Sequence, residues 1–230
     1  MMQIGSDQWN NLIRQGAARL GIEVTAAQAD RFGIHGRELV LWNRKTNLTA
    51  ITDPLEIAVK HFIDSLAALP LIPDNASLLD IGSGGGFPGL PLKIMRPLQP
   101  ITMVDGVHKK ISFIKYMIRL LALEHVAALH IRAEDMVSDK AYAGYFDVIT
   151  CRALADLKTI VQLSLPLLSP RGIIIAYKGP TERPETVESL SAGEVGLLHG
   201  NDTHTLQLSS RDYRLPITKE SRRLIILRRT

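Results

Sequence analysis

The stretch LLDIGSGGGFPGLP, residues 78–91, constrains this chain more than any other. An apolar run ending at Asp80 and Ile81 leads directly into a turn that holds five glycines. Glycine reaches positive φ and lets a ligand or a neighbouring backbone come close. A strand, a glycine-rich turn and a short helix open a doubly wound α/β sheet, which holds its ligand beyond the carboxyl ends of its strands. Gly84, Gly86 and Gly89 also satisfy G-x-G-x-x-G, and Asp105 ends the next apolar run at the spacing of a ribose-binding carboxylate. A dinucleotide and a cofactor without phosphate both suit that pattern. A tight turn with no ligand is the plain alternative.

The rest of the chain supports the sheet. Apolar runs at 77–81, 101–105, 126–131, 146–151 and 172–179 read as strands, and 90–95, 108–123 and 156–168 read as helices between them. Strands that alternate with helices imply a mostly parallel sheet covered on both faces. Two late runs, 203–209 and 222–228, have no helix between them and predict an antiparallel pair on the sheet edge. Before the glycine turn lie about 75 mostly helical residues: 6–20 with Ser6 as N-cap, a helix from Thr25 to about Trp42, a loop over 42–54, and a helix over 55–69. The expected organisation is therefore a helical extension, 1–75, and an α/β domain, 76–230.

Asp80 bears on the ligand. A carboxylate at the mouth of the turn repels a diphosphate that seeks a helix N-terminus, and it favours a cation. S-adenosylmethionine carries an ammonium and a sulfonium and no phosphate. Asp80, Asp105 and Glu134 or Asp135 follow three successive strands, a pattern that suits this cofactor, although each alone could be a solvated carboxylate. Gly82 and Gly84 would admit it, and Ala133, Glu134 or Asp135 would accept from its adenine amino group. A Rossmann-like methyltransferase is the expected fold class.

The segments WNRKTNLTAITDPLEIAVKHFIDSLAAL, LLDIGSGGGFPGLPLKI, IRAEDM, ITCRALADL and AYKG resemble the bacterial glucose-inhibited division protein B family. That family comprises small-subunit ribosomal RNA guanine-N7 methyltransferases, known as methyltransferase G. The resemblance spans about residues 35–180. It implies cofactor contacts at Gly82, Phe87, Ala133, Glu134 and Arg152, and small-subunit ribosomal RNA or the ribosomal subunit as partner. Cys151 stands where the family has serine or alanine, and Tyr177 where leucine is usual.

The acceptor site is less legible. Asn47, His61 and Asp64 would line a base pocket, or they are helix caps and core hydrogen bonds. Lys178 would bind guanine O6 or a phosphate, or it is simply solvated. Arg152 would hold the cofactor or an RNA phosphate. Cys151 leaves a pyrimidine-C5 methyltransferase open, because that chemistry needs an attacking thiolate. Buried cysteine is also an ordinary core residue. Guanine N7 has an in-plane lone pair and needs neither base nor nucleophile. An RNA-binding module without catalysis stays open as well.

Composition closes off other classes. One cysteine in 230 residues excludes a disulfide framework and a cysteine-based zinc site, and no metal is expected. No apolar run approaches the roughly 18–20 residues of a membrane helix. The N-terminus has no apolar signal core, so the expectation is a cytoplasmic protein, and a monomer. The net charge is +4, and seven basic against two acidic residues lie between Arg211 and Thr230. That segment is either a polyanion surface or a pair of solvated strands.

Overall fold

The computed structural model describes residues 2–152, 156–179, 197–199, 202–204 and 206–229. Its centre is a seven-stranded sheet of order β3-β2-β1-β4-β5-β9-β8. Strands β1 (Leu78–Ile81), β2 (Ile101–Asp105), β3 (Val126–His130), β4 (Phe146–Arg152) and β5 (Leu168–Lys178) run parallel. A hairpin of β6 (Leu197–His199) and β7 (Asp202–His204) lies outside this sheet. Then β8 (Leu206–Arg214) and β9 (Ser221–Arg229) pair antiparallel, and β9 joins the edge of β5. The expected edge hairpin is present, with its first strand running on to Arg214; Thr205, inside the predicted strand, lies outside the described residues.

Alternation along the strands sorts their side chains onto two faces. Leu78, Met103, Val148, Ile173, Ile175 and Leu224 join one core, whereas Leu79, Ile81, Val104, Ile149, Ile174 and Ile225 join the other. Both faces are covered, so the strands read as continuous apolar runs. The first core also contains Trp9, Phe32, Leu39 and Phe62 from the N-terminal helices. These belong to α1 (Asp7–Ala18), α2 (Ala26–Thr46) and a helix made of α3 (Pro54–Glu56), a π-type segment (Ile57–Ile63) and α4 (Asp64–Leu66). Trp9 is fully buried, donates its indole N–H to Pro54 O at 2.9 Å, and meets Phe62 edge-on at 5.5 Å. Ser6 caps α1 and Thr25 caps α2, as the sequence predicts, and Thr25 does so in a reciprocal capping box with Gln28.

Several boundaries differ from expectation. Helix α2 runs four residues past Trp42, to Thr46, and Asn47 ends it in the left-handed region at φ 49°. Asparagine tolerates that conformation, so its place in NLTAI is that of a helix stop. The predicted helix 156–168 is α8 (Leu157–Ser164), closed by a 3-10 turn over Leu165–Leu167 where Pro166 cannot continue it. Between β3 and β4 lies a helix the sequence reading lacks, α7 (Ala133–Ser138). The other two helices, α5 (Gly89–Met95) and α6 (His108–Leu120), follow β1 and β2 as expected.

Candidate active site

The strand order reverses between the neighbouring strands β1 and β4, and the ligand position of such a sheet is the crevice beyond the carboxyl ends of the strands at this point. A cleft of about 420 Å³ opens there, lined by Gly82, Asp105, Gly106, Lys110, Arg132, Ala133, Glu134 and Arg152 over apolar walls such as Ile81 and Leu163. Gly82, Asp105, Ala133, Glu134 and Arg152, all expected at a cofactor, are thus brought together. Gly82 holds φ 71°, a conformation that glycine alone adopts without strain.

Asp80, Gly84 and Phe87 are placed otherwise. Asp80 is fully buried and does not line the cleft. Its carboxylate accepts the Gly89 N–H at 3.1 Å, at the start of α5, and the Thr150 hydroxyl at 3.1 Å. Burial pushes its pKa up to about 6. Gly84 gives its N–H to Asp105 Oδ2 at 3.0 Å, and the other Asp105 oxygen takes the Val107 N–H at 2.8 Å. Four more turn amides are also committed: Gly82 and Ser83 to Val104 O, and Gly86 and Phe87 to Ser83 O. A diphosphate cradle needs such N–H groups free. Contrary to the expectation from sequence, Asp80 disfavours a diphosphate by occupying the helix-start amide, not by facing the ligand. Lys110, Arg132 and Arg152 also line the cleft, so charge alone would not exclude phosphate.

Phe87 lies in an aromatic stack. Its ring is between His35, 4.7 Å away at 15°, and His61, 4.5 Å away at 12°. The Arg152 guanidinium stands 5.2 Å from its centroid. His35 is fully buried, contacts Gly85 O at 2.8 Å through Nε2, and has a pKa lowered to about 4 by burial. It is therefore neutral, and donates that N–H into the glycine turn.

A depressed folded pKa contributes stability that is present above the unfolded value of 6.5 and lost as pH falls toward the folded value. Between pH 7 and pH 5 the stability advantage of the native chain over a His35→Phe variant should shrink by about 2 kcal/mol. Urea unfolding at the two pH values measures it. An advantage that stays constant would show that the ring titrates as it does in the unfolded chain.

Arg152 also faces a second pocket, of about 410 Å³, lined by Ile51, Lys60, His61, Asp64, Tyr177, Lys178 and Arg222. Its Nη1 donates to Lys60 O at 2.8 Å and lies 3.5 Å from Asp64 Oδ2, and its Nη2 reaches His61 Nδ1 at 3.0 Å. Asp64 is buried and also accepts the Tyr213 hydroxyl at 2.6 Å, with Arg222 at 3.9 Å. Burial pushes its carboxyl up, and Arg152, Tyr213 and Arg222 pull it back. His61 has a pKa lowered to about 2 by burial, with Arg152 and His35 adding to the effect. Tyr177, the departure from leucine, donates to Ser65 O at 2.6 Å and ties β5 to α4.

Of the expected acceptor residues, His61, Asp64 and Lys178 meet in this pocket. Asn47 is exposed and does not line it. The NLTAI residue that reaches the network is Thr49, whose Oγ1 is 2.8 Å from His61 Nε2. Sequence reasoning missed it, although a helix-stop asparagine already pointed past itself. Cys151 is 1% exposed within the apolar core beside α8, and lines neither cleft. The basic C-terminal strands are less free than expected. Arg223 forms a two-pronged pair with Asp212 at 2.6 and 2.9 Å, Arg222 holds Glu220, and Arg229 donates to Leu168 O.

The family described as "rRNA small subunit methyltransferase G", GidB, matches residues 28–210. The chain belongs to this family. A "Ribosomal RNA small subunit methyltransferase G" from Geobacter metallireducens is 46% identical over 185 residues, covering 80% of this chain and 83% of that protein. One from Geobacter sp. strain M21 is 41% identical over 95% of this chain and 96% of its own length. Among solved structures, a SAM-dependent methyltransferase from Aquifex aeolicus superposes with TM-score 0.55 at 16% identity, over 79% of this chain and 96% of that one. TYW2 of P. horikoshii, in complex with MeSAdo, gives TM-score 0.55 at 12% identity, over 81% and 65%. These two structural likenesses establish the methyltransferase sheet. Among the described residues, no helix is long and apolar enough to cross a membrane.

Proposed function

We propose that this chain transfers a methyl group from S-adenosylmethionine to N7 of a guanine in small-subunit ribosomal RNA. The observation that carries the reading is Arg152 as a wall common to two clefts, one at the glycine turn and one at His61 and Asp64. A cofactor in the first and a base in the second would meet at that wall. The first cleft suits S-adenosylmethionine. The amides of Gly82, Ser83, Gly84, Gly86 and Phe87 are used internally, and Asp105 and Glu134 offer acceptors to hydroxyl and amino groups. When bound, the cofactor supplies the sulfonium methyl group.

The second cleft supplies position. His61 keeps a neutral ring with both nitrogens engaged, and Asp64 is held by Arg152 and Tyr213. Neither is poised to remove a proton, and N7 requires no proton removal. Holding the base in line accounts for the acceleration. The cysteine-dependent C5 reading has no thiol at either cleft. Residues 1–75 would supply one wall of the base pocket, through Ile51, Lys60, His61 and Asp64, and 76–230 the cofactor domain and the facing wall. A monomer is the state this reading takes. Exposed Arg211, Arg214, Lys219 and Arg228 would meet RNA phosphates. The cytoplasm is the compartment this substrate implies.

The product tests the reading. Small ribosomal subunits incubated with the protein and S-adenosylmethionine should become cleavable at one guanine by borohydride and aniline. RNA with 7-deazaguanine at that position should bind and accept no methyl group. Undiminished transfer to the deaza substrate would place the methyl elsewhere.

A further inference from the structure

We infer that the Thr49 hydroxyl is a dedicated hydrogen-bond donor that reads O6 of the acceptor base, with its polarity set by Arg152 through His61. The inference rests on the guanine reading above. It follows from what each group in the chain of contacts can give. A guanidinium only donates, so Arg152 Nη2, at 3.0 Å, makes His61 Nδ1 an acceptor. A neutral imidazole then carries its single proton on Nε2. That nitrogen lies 2.8 Å from Thr49 Oγ1, so the hydroxyl oxygen accepts. The same oxygen accepts the Ile51 N–H at 2.9 Å.

Two acceptor positions are all a hydroxyl oxygen has. What remains to Thr49 is its own hydrogen, which has no acceptor among the described residues. A ligand group that reaches this hydroxyl therefore meets a donor only. Its backbone is pinned as well: Asn43 Oδ1 takes the Thr49 N–H at 2.9 Å, and Asn43 Nδ2 donates to Thr49 O at 2.8 Å. Thr49 is half-buried and stands behind the pocket wall, and both of its hydroxyl partners, Ile51 and His61, line the base pocket.

A fixed donor favours a base that presents an oxo group and disfavours one that presents an amino group at the same place. Guanine has a 6-oxo acceptor where adenine has a 6-amino donor. Thr49 is thus a specificity residue and His61 a positioning residue.

The test compares ratios, because removing the hydroxyl also strands the Ile51 and His61 donors and lowers activity on every substrate. Small subunits are reconstituted with RNA carrying guanine or 2-aminopurine, which lacks O6, at the modified position. The wild-type preference for guanine in kcat/KM should fall about ten-fold in Thr49→Val, the loss of one neutral hydrogen bond. Thr49→Ser should keep it. If Thr49→Val does not fold, Thr49→Cys, a weak donor of similar size, should show the same collapse of preference. An unchanged ratio in the folded variant overturns the inference and leaves the methyltransferase reading intact. Wild-type protein that makes no N7 product on guanine overturns both.

Discussion

Gly82→Val should abolish S-adenosylmethionine binding and leave the sheet folded. Gly82 lines the cleft at φ 71°, and its N–H is tied to Val104 O. A β-branched residue at that φ is strained by about 1–3 kcal/mol, so the turn is pushed away from its present path. Gly82 lines the cleft, so added bulk there competes with the ligand for space. Affinity should fall on the order of a hundred-fold or more, equivalent to about 2.7 kcal/mol. Calorimetric titration reads the affinity, and far-ultraviolet dichroism reads the fold. Unchanged affinity in a folded variant would mean that the cofactor lies away from this turn.

Arg152→Met should lower both stability and methyl transfer, and by more than any other single change in the base pocket. Methionine fills the space without the charge. The substitution removes the donor to Lys60 O and the donor that sets His61. It also removes the nearest cation of a carboxylate that is only 5% exposed. Tyr213 and the more distant Arg222 remain with Asp64. Breaking a buried pair from one side costs about 3 kcal/mol or more. Urea unfolding at neutral pH should show that loss. Arg152→Lys should recover part of the stability and little of the activity, since an ammonium cannot bond His61 and Lys60 O together in one planar fork. Full activity in Arg152→Lys would show that charge alone is needed at the shared wall.

The two predictions draw on different kinds of information. Gly82 is a local matter. A strand followed by a glycine-rich turn announces positive φ, and the structure has it at Gly82, Gly84 and Gly86. Arg152 is not local, since its His61 partner is 91 residues away in the chain. Its place at the end of β4 was legible from the apolar run before it. Its bonds were not.

What the amino-acid sequence determined by itself was the parallel sheet, the caps of α1 and α2, the edge pair β8 and β9, and the ligand end of the sheet. Each follows from periodicity of two or 3.6 residues, or from glycine, proline and capping residues acting within a few positions. Tertiary structure alone decided which polar groups are consumed inside the fold. The Asp80 carboxylate became a clamp on Gly89 and Thr150 because the packing of β4 against β1 brought Thr150 to it. Asn47 turned outward and Thr49 inward because α2 runs to Thr46 and stops in the left-handed region. Asp64 found Tyr213 across 149 residues only when β8 closed the sheet edge. A buried hydrogen bond depends on which chain segments exclude water from it, and that is a property of the whole packed molecule.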